Sequence, residues 1–260
     1  MPTKSIVFIH GMFMTPLCWE NWITRFQAQG YQATAPAWPG RDQPVQALRA
    51  KHPDAALGRL SLVDVVEHYA RLLKAQGPKP VLIGHSMGGL IVQLLLQRDL
   101  AVAGVAIDSA PPAGVFTVEW SFLKANWPMI NPLVSQNEPR RMPFADFQYA
   151  FVNNLPLAEQ QAAYDRYVVP ESRVVPRQSL TAAGRVDFQK PHPPLLLIAG
   201  AEDHIIPAAL NRSNHARYEL SSSVTEYHEF DGRAHFIIGQ KGWEEVADYS
   251  LAWLKAKGAL

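Results

Sequence analysis

Six short runs of β-branched and apolar residues recur along the chain, and most are separated by longer stretches whose apolar residues repeat every 3.6 positions. The runs are "SIVFIH" from Ser5, "YQATAP" from Tyr31, "PVLIGH" from Pro80, "VAGVAID" from Val102, "PLLLIAG" from Pro194 and "VTEYHEF" from Val224. Strand followed by helix followed by strand requires a crossover, and crossovers join parallel strands. The alternation therefore predicts an α/β architecture: a doubly wound, mostly parallel sheet of about six strands flanked by helices.

One of the helical stretches is plain in "SLVDVVEHYARLLKAQG". Leu62, Val65, Val66, Tyr69, Leu72 and Leu73 form one stripe, Ser61 and Asp64 suit its N-terminal cap, and Gly77 with Pro78 stops it. A final helix starts near Trp243, with Val246, Ser250, Trp253 and Leu254 on one face. The rhythm breaks between Pro111 and Pro193, a stretch that holds about half of the chain's 21 prolines and many of its aromatics. There "FADFQYAFVNNL" and "LAEQQAAYDRYV" read as short helices joined by proline-rich connectors. The expected organisation is a core of residues 1–110 and 194–260 with a helical cap inserted as residues 111–193.

At 260 residues the chain can bury a large core without staples. A net charge of +1 provides no basic field, so nucleic acid is not an expected partner. The single cysteine, Cys18, excludes an intrachain disulfide. The first residues lack a cleavable apolar region, and no run of 18 apolar residues follows, so the expectation is a reduced, cytoplasmic protein without a membrane span. Oligomeric state is not legible.

Chemistry enters at "VLIGHSMGGL". Ser86 stands between Gly84 and Gly88 where a strand gives way to a helix. A sharp strand-to-helix turn forces its apex toward positive φ, at a cost of about 1–3 kcal/mol for a non-glycine residue. Its neighbours two positions away must be small. This is G-x-S-x-G, a nucleophile elbow that lifts a hydroxyl to the N-terminus of a helix.

A serine hydroxyl needs a base, and the base needs an orienting carboxylate. The elbow predicts the order Ser, Asp, His, with the latter two beyond later strands. Asp203 follows an apolar strand in "LLLIAGAEDHIIP", and His235 follows the last strand in "VTEYHEFDGRAHF", in a turn marked by Asp231 and Gly232. Asp108, which ends the strand after the elbow helix, is the rival acid. Among the other histidines, His228 reads as a packed strand residue, His204 as pointing away from the acid, and His215 and His52 as solvated. No H-E-x-x-H or cysteine–histidine zinc spacing occurs, so neither metal nor cofactor is expected.

Acyl transfer builds a negative oxygen that preorganised N–H groups stabilise. One donor would be the Met87 amide after the nucleophile; the other comes from the loop "HGMFMT", with Met12 the first choice and Phe13 the second. His10 reads as a pin for that loop.

His10-Gly11, the elbow Gly84 to Gly89, Gly200 to Asp203 and Gly232 to His235 together make the chain resemble an α/β-hydrolase. Its likeness is greatest to small bacterial esterases, thioesterases and cofactor-free perhydrolases with a helical lid. Only about four residues precede the first strand, so the sheet should be smaller than the eight-stranded form. "HGMF" is not the HGGG loop of the hormone-sensitive-lipase branch, and Ser86 at the elbow disfavours the aspartate-nucleophile members.

The resemblance implies a serine hydrolase that cleaves esters or thioesters of small apolar or aromatic acyl groups, with a small molecule as its partner. Alternatives are perhydrolysis through the same Ser86, His235 and Asp203, and a receptor that binds a small ligand without turnover. Candidate pocket residues are Phe13, Trp38, Trp120 and Phe147, with Arg41 a candidate for an anionic group. Met12, Met14 and Trp19 read equally as pocket wall or core.

Overall fold

The computed structural model describes residues 4–218 and 222–260. The expected runs form six strands: β1 (Ser5–Ile9), β2 (Gln32–Thr34), β3 (Val81–His85), β4 (Ala103–Ile107), β5 (Leu195–Gly200) and β6 (Thr225–Phe230). They make one sheet in the order β2-β1-β3-β4-β5-β6, and every pairing in it is parallel.

The helices in chain order are α1 (Glu20–Gln27), α2 (Val45–Ala50), α3 (Ala55–Arg59), α4 (Leu62–Ala75), α5 (Met87–Leu96), α6 (Trp120–Ile130), α7 (Phe144–Ala150), α8 (Leu157–Tyr167), α9 (Val174–Ser179), α10 (Ala208–Arg217) and α11 (Trp243–Ala256). Alternate strand residues face opposite layers. Ile6, Phe8, Val81, Ile83, Leu196 and Ile198 pack with Trp22 and Phe26 of α1 and Val246, Leu251 and Leu254 of α11. Val7, Ile9, Leu82, Leu195 and Leu197 pack with α4, α5 and Leu210 of α10. Burying one such aliphatic side chain contributes roughly 1.5–3 kcal/mol, so both faces of the sheet must be covered.

The capping box at Ser61 and Asp64 opens α4, and the chain leaves that helix through Gly77 at φ 88°. Helix α5 has no solvent face: all ten of its residues are buried. It therefore holds the end of β3, and whatever follows β3, in a fixed place.

The strand order reverses between β1 and β3. In an open parallel sheet, a crevice forms at such a switch point, outside the carboxyl ends of the strands. The loops after β1 and β3 flank that crevice, and they contain Met12 and Ser86.

Between β4 and β5 lie α6 to α9. Sequence reading anticipated α7 and α8 but not α6 and α9. Both missed helices contain a proline, Pro128 near the end of α6 and Pro176 in the first turn of α9. Proline is tolerated in a first turn, where its missing N–H has no acceptor. Among the described residues no helix is long and apolar enough to cross a membrane.

Candidate active site

Ser86 adopts φ 58° and ψ −122°, outside the regions that L-residues favour. Contacts explain its glycine neighbours. A Cβ on Gly84 would lie 2.2 Å from the carbonyl oxygen of Gly88, and one on Gly88 would lie 2.1 Å from that of Ile9. The turn is fastened to β4: Ser86 N–H donates to Ile107 O at 2.9 Å, and Ala110 N–H donates to Ser86 O at 3.0 Å. Strain is sustained because the surroundings over-determine it.

Asp203 and His235 come from the turns after β5 and β6, and His235 Nδ1–H donates to Asp203 Oδ2 at 2.6 Å. Oδ1 of Asp203 accepts from Ile205 N–H at 2.7 Å and Ile206 N–H at 2.9 Å. Both side chains are fully buried. Burial pushes His235 down to about 3, so its ring rests neutral. With the proton on Nδ1, Nε2 is a bare acceptor, and it finds no hydrogen-bond partner among the described residues. Ser86 Oγ instead lies near Gly11, where an added Cβ would be 3.3 Å from it. The Ser–His hydrogen bond is open in this arrangement, as is common without substrate.

The His235 ring is held between two others. His85 lies 4.7 Å away and Phe151 4.9 Å, centroid to centroid. His85 Nε2–H also donates to the backbone oxygen of His235 at 2.7 Å. Asp108, the rival acid, makes no hydrogen bond to His235 recorded in the structure; its Oδ1 accepts from Gly200 N–H at 2.7 Å. Ligand-type atoms of His85, Asp108 and His235 lie within 4.8 Å of one another, the one such grouping among the described residues. Each of the three also keeps one buried atom without a hydrogen-bond partner: His85 Nδ1, Asp108 Oδ2 and His235 Nε2.

The loop after β1 passes directly over the serine: a Cβ on Gly11 would sit 2.8 Å from Ser86 Cβ. His10 pins it through Nδ1–H to Gly11 O at 2.8 Å, while Nε2 accepts from Trp38 N–H at 3.3 Å. Burial lowers His10 to about 3, which suits that neutral tautomer. Phe13, at φ 62°, gives its N–H to Glu171 Oε2 at 3.0 Å. The N–H groups of Met12 and Met87 have no recorded acceptor among the described residues.

Glu171 is the anchor that sequence reading missed. Buried with 0% exposure, it pairs with Arg41 at 2.6 Å and also accepts from Ser172 N–H at 2.7 Å. Nothing local in "VVPESRVV" signals this, because its partners lie about 130 and 158 positions away. Arg41 is thus committed to a buried carboxylate and does not face a substrate anion.

A cavity of about 90 Å³ opens beside Ser86, walled by Met12, Phe13, Met87, Phe151, Ile205, Ile206 and a mostly apolar stripe of α6. That stripe is Phe122, Ala125, Asn126, Met129 and Ile130, the i, i+3, i+4, i+7, i+8 set of one helix face. Of the four pocket candidates only Phe13 lines it. Trp38 is 1% exposed and stacks on His10 at 4.8 Å. Phe147 is fully buried and stacks behind Phe151 at 5.1 Å. Trp120 opens α6 off the stripe and is 73% exposed. Met14 and Trp19 belong to the core. A larger open groove of about 840 Å³ between residues 41–46 and α8 contains none of Ser86, Asp203 and His235.

The other histidines divide. His228 stacks on Tyr249 in the helix layer, and His204 Nδ1 bonds Tyr149 O away from Asp203. His215 and His52 are half-buried instead of solvated, because His215 Nε2 bonds Thr225 O and His52 sits among packed loops.

Residues 6–249 match the model of the alpha/beta hydrolase family. A probable esterase of Oryza sativa subsp. indica, PIR7A, is 32% identical over 118 residues, 42% of this chain and 40% of that protein. A pyrethroid hydrolase of Sphingobium wenxiniae is 32% identical over 103 residues, 38% of this chain and 32% of its own. The chain thus aligns with less than half the length of these curated relatives. Among solved structures, a monoacylglycerol lipase of Paleococcus ferrophilus superimposes with TM-score 0.69 at 18% identity, covering 99% of this chain and 96% of that one.

Proposed function

The chain belongs to the alpha/beta hydrolase family, and we propose that it is a serine hydrolase of carboxylic esters with small apolar acyl groups. The observation that carries this reading is the buried 2.6 Å bond from His235 Nδ1 to Asp203, which leaves Nε2 unprotonated and unpartnered. Esterase and pyrethroid hydrolase relatives support ester cleavage over other acyl chemistry.

In this mechanism a rotation about the Ser86 Cα–Cβ bond brings Oγ to His235 Nε2. Oγ attacks the acyl carbon and its proton passes to Nε2. Asp203 holds the ring and stabilises the imidazolium. The carbonyl oxygen becomes an oxyanion and takes the free N–H groups of Met12 and Met87, each worth about 10²–10³ in rate. Phe13 is excluded as a donor because Glu171 already occupies its N–H. The alcohol leaves with the proton from His235. Water, deprotonated by His235, then attacks the acyl-enzyme and releases Ser86 with the acid.

Residues 111–193 act as a cap that supplies the acyl pocket. A cavity this small, walled by methionine, isoleucine and phenylalanine, suits a short acyl chain better than a fatty one. The test is p-nitrophenol release from p-nitrophenyl esters, acetate through laurate, with Ser86→Ala in parallel. Turnover by the native protein with an optimum at short chains, and none by the variant, is the expected outcome. Equal release by both would end the serine mechanism, and an optimum at laurate would end the small-acyl reading.

A further inference from the structure

Two cavities lie back to back in the stretch between β4 and β5. The first is the 90 Å³ cavity beside Ser86; the second, of about 250 Å³, opens between α6 and α7 on the far side of a common wall. Among the described residues three border both: Ala125 and Met129 of α6, and Met142, which precedes α7. Ala125 contributes a single methyl, so the material between the two spaces is the pair of methionine side chains. Both are buried, at 4% and 5% exposure.

The backbone that carries this partition is fixed. Arg177 Nε–H donates to Met129 O at 3.1 Å, and its Nη2–H groups donate to Asn131 O at 2.8 Å and Val134 O at 2.9 Å. Arg173, just before α9, donates to Pro128 O, and the Tyr164 hydroxyl of α8 donates to Met142 O at 2.7 Å. What can yield is therefore the side chains, and an unbranched thioether yields where a β-branched side chain would not. The second cavity suits an apolar chain. Met129, Met142, Pro128 and Ala150 wall it, and its charged groups are engaged elsewhere: Arg140 pairs with Asp146, and Lys124 Nζ sits 3.6 Å from the centre of the Tyr149 ring.

We propose that Met129 and Met142 set the acyl-length limit of the pocket: their side chains end it at a short chain and close off the space into which a longer one would run. This rests on the ester-hydrolase reading above. A chain longer than the pocket must displace two packed side chains, and that cost falls on long acyl groups alone. Each further methylene that finds apolar surface is worth about fourfold in binding, so joining the two spaces reverses the preference.

Met129→Ala and Met142→Ala each remove Cγ, Sδ and Cε from the partition. In either variant the ratio of kcat/KM for p-nitrophenyl octanoate to that for the butyrate should rise about 10-fold or more, whereas Met129→Leu, of similar volume, should keep the native ratio. Ala145→Trp fills the second cavity from its exposed rim and, added to Met129→Ala, should restore the short-chain preference. Binding of linear alcohols to the Ser86→Ala protein needs no turnover. With Met129→Ala added, calorimetry should find 1-octanol bound about 10-fold tighter and 1-butanol no tighter. If that gain appears while no form cleaves an ester, the ester reading falls and the partition stands. An unmoved ratio in alanine variants that melt cooperatively, an equal gain for butanol and octanol, or no reversal by Ala145→Trp would overturn the proposal.

Discussion

Ser86, Asp203 and His235 each stand at the carboxyl end of a different strand, and each role is separable by one substitution. Ser86→Ala and His235→Ala should lower kcat by roughly 10⁴–10⁶, and Asp203→Asn by about 10⁴, in initial-rate assays on the best p-nitrophenyl ester. A loss under tenfold removes that residue from the triad. Gly11→Ala is a finer probe. Its methyl would lie 2.8 Å from Ser86 Cβ and 3.0 Å from the carbonyl oxygen of His85, so the serine or the loop must shift. A misplacement of that order should cost about 10²-fold in kcat. Little change in thermal midpoint is expected, since the clash is confined to the crevice. At this scale the strained turn at Ser86 and the His235–Asp203 contact are legible because glycine spacing and the order of polar residues after strands are local signals. Glu171 was not, because burial of a charge depends on a partner that only the fold brings near.

At the level of elements, the sheet and its flanking helices followed from periodicity, while the stretch between β4 and β5 resisted it. Prolines inside α6 and α9 hide their helical character, so the sequence does not show the inward stripe of α6 and offers Trp120 only as one of the aromatics of that stretch. Once that helix is drawn, the stripe from Phe122 to Ile130 is legible and Trp120 falls outside it. One side-chain tie between this stretch and the loop after β1 is Glu171, which accepts from Phe13 N–H and neutralises Arg41, beside the backbone bond from Val169 N–H to Phe13 O at 2.9 Å. Breaking a buried pair from one side typically costs about 3–5 kcal/mol, because the remaining charge is uncompensated. Glu171→Gln should show that loss in urea unfolding, and kcat should fall as Phe13 loosens. Arg41→Met combined with Glu171→Gln should recover part of the stability; failure to recover any would mean that the pair's charge is not the cause.

For the whole molecule, three histidines are buried neutral, His10, His85 and His235, and burial lowers all of them. The unfolded chain protonates them as pH falls through about 6.5, whereas folded His10 and His235 wait until about 3. Unfolding therefore takes up protons in that window, and stability falls with acidification by up to about 1.4 kcal/mol per pH unit for each group. Burial raises Asp108, so the folded state keeps a proton that the unfolded chain releases above about 3.8, and this group opposes the trend. Calorimetry should find the thermal midpoint declining from pH 7 to pH 5. Asp108→Asn should make that decline steeper, having lost one opposing group. For activity the sign is reversed in consequence: a ring that stays neutral below 6.5 remains a competent base, so kcat/KM should persist further into acid than an unperturbed histidine would allow.

Most of the cavity wall comes from one contiguous length of chain, from Ala110 to Leu180, while the proposed reacting groups come from strand ends outside it. Diversification of diet in a lineage of such proteins can therefore proceed by rewriting that single length, leaving the chemistry untouched. The rewriting has one fixed clause. Any transplanted length must still carry a carboxylate where Glu171 stands, or Arg41 is left without its counter-charge and the Phe13 amide without its acceptor.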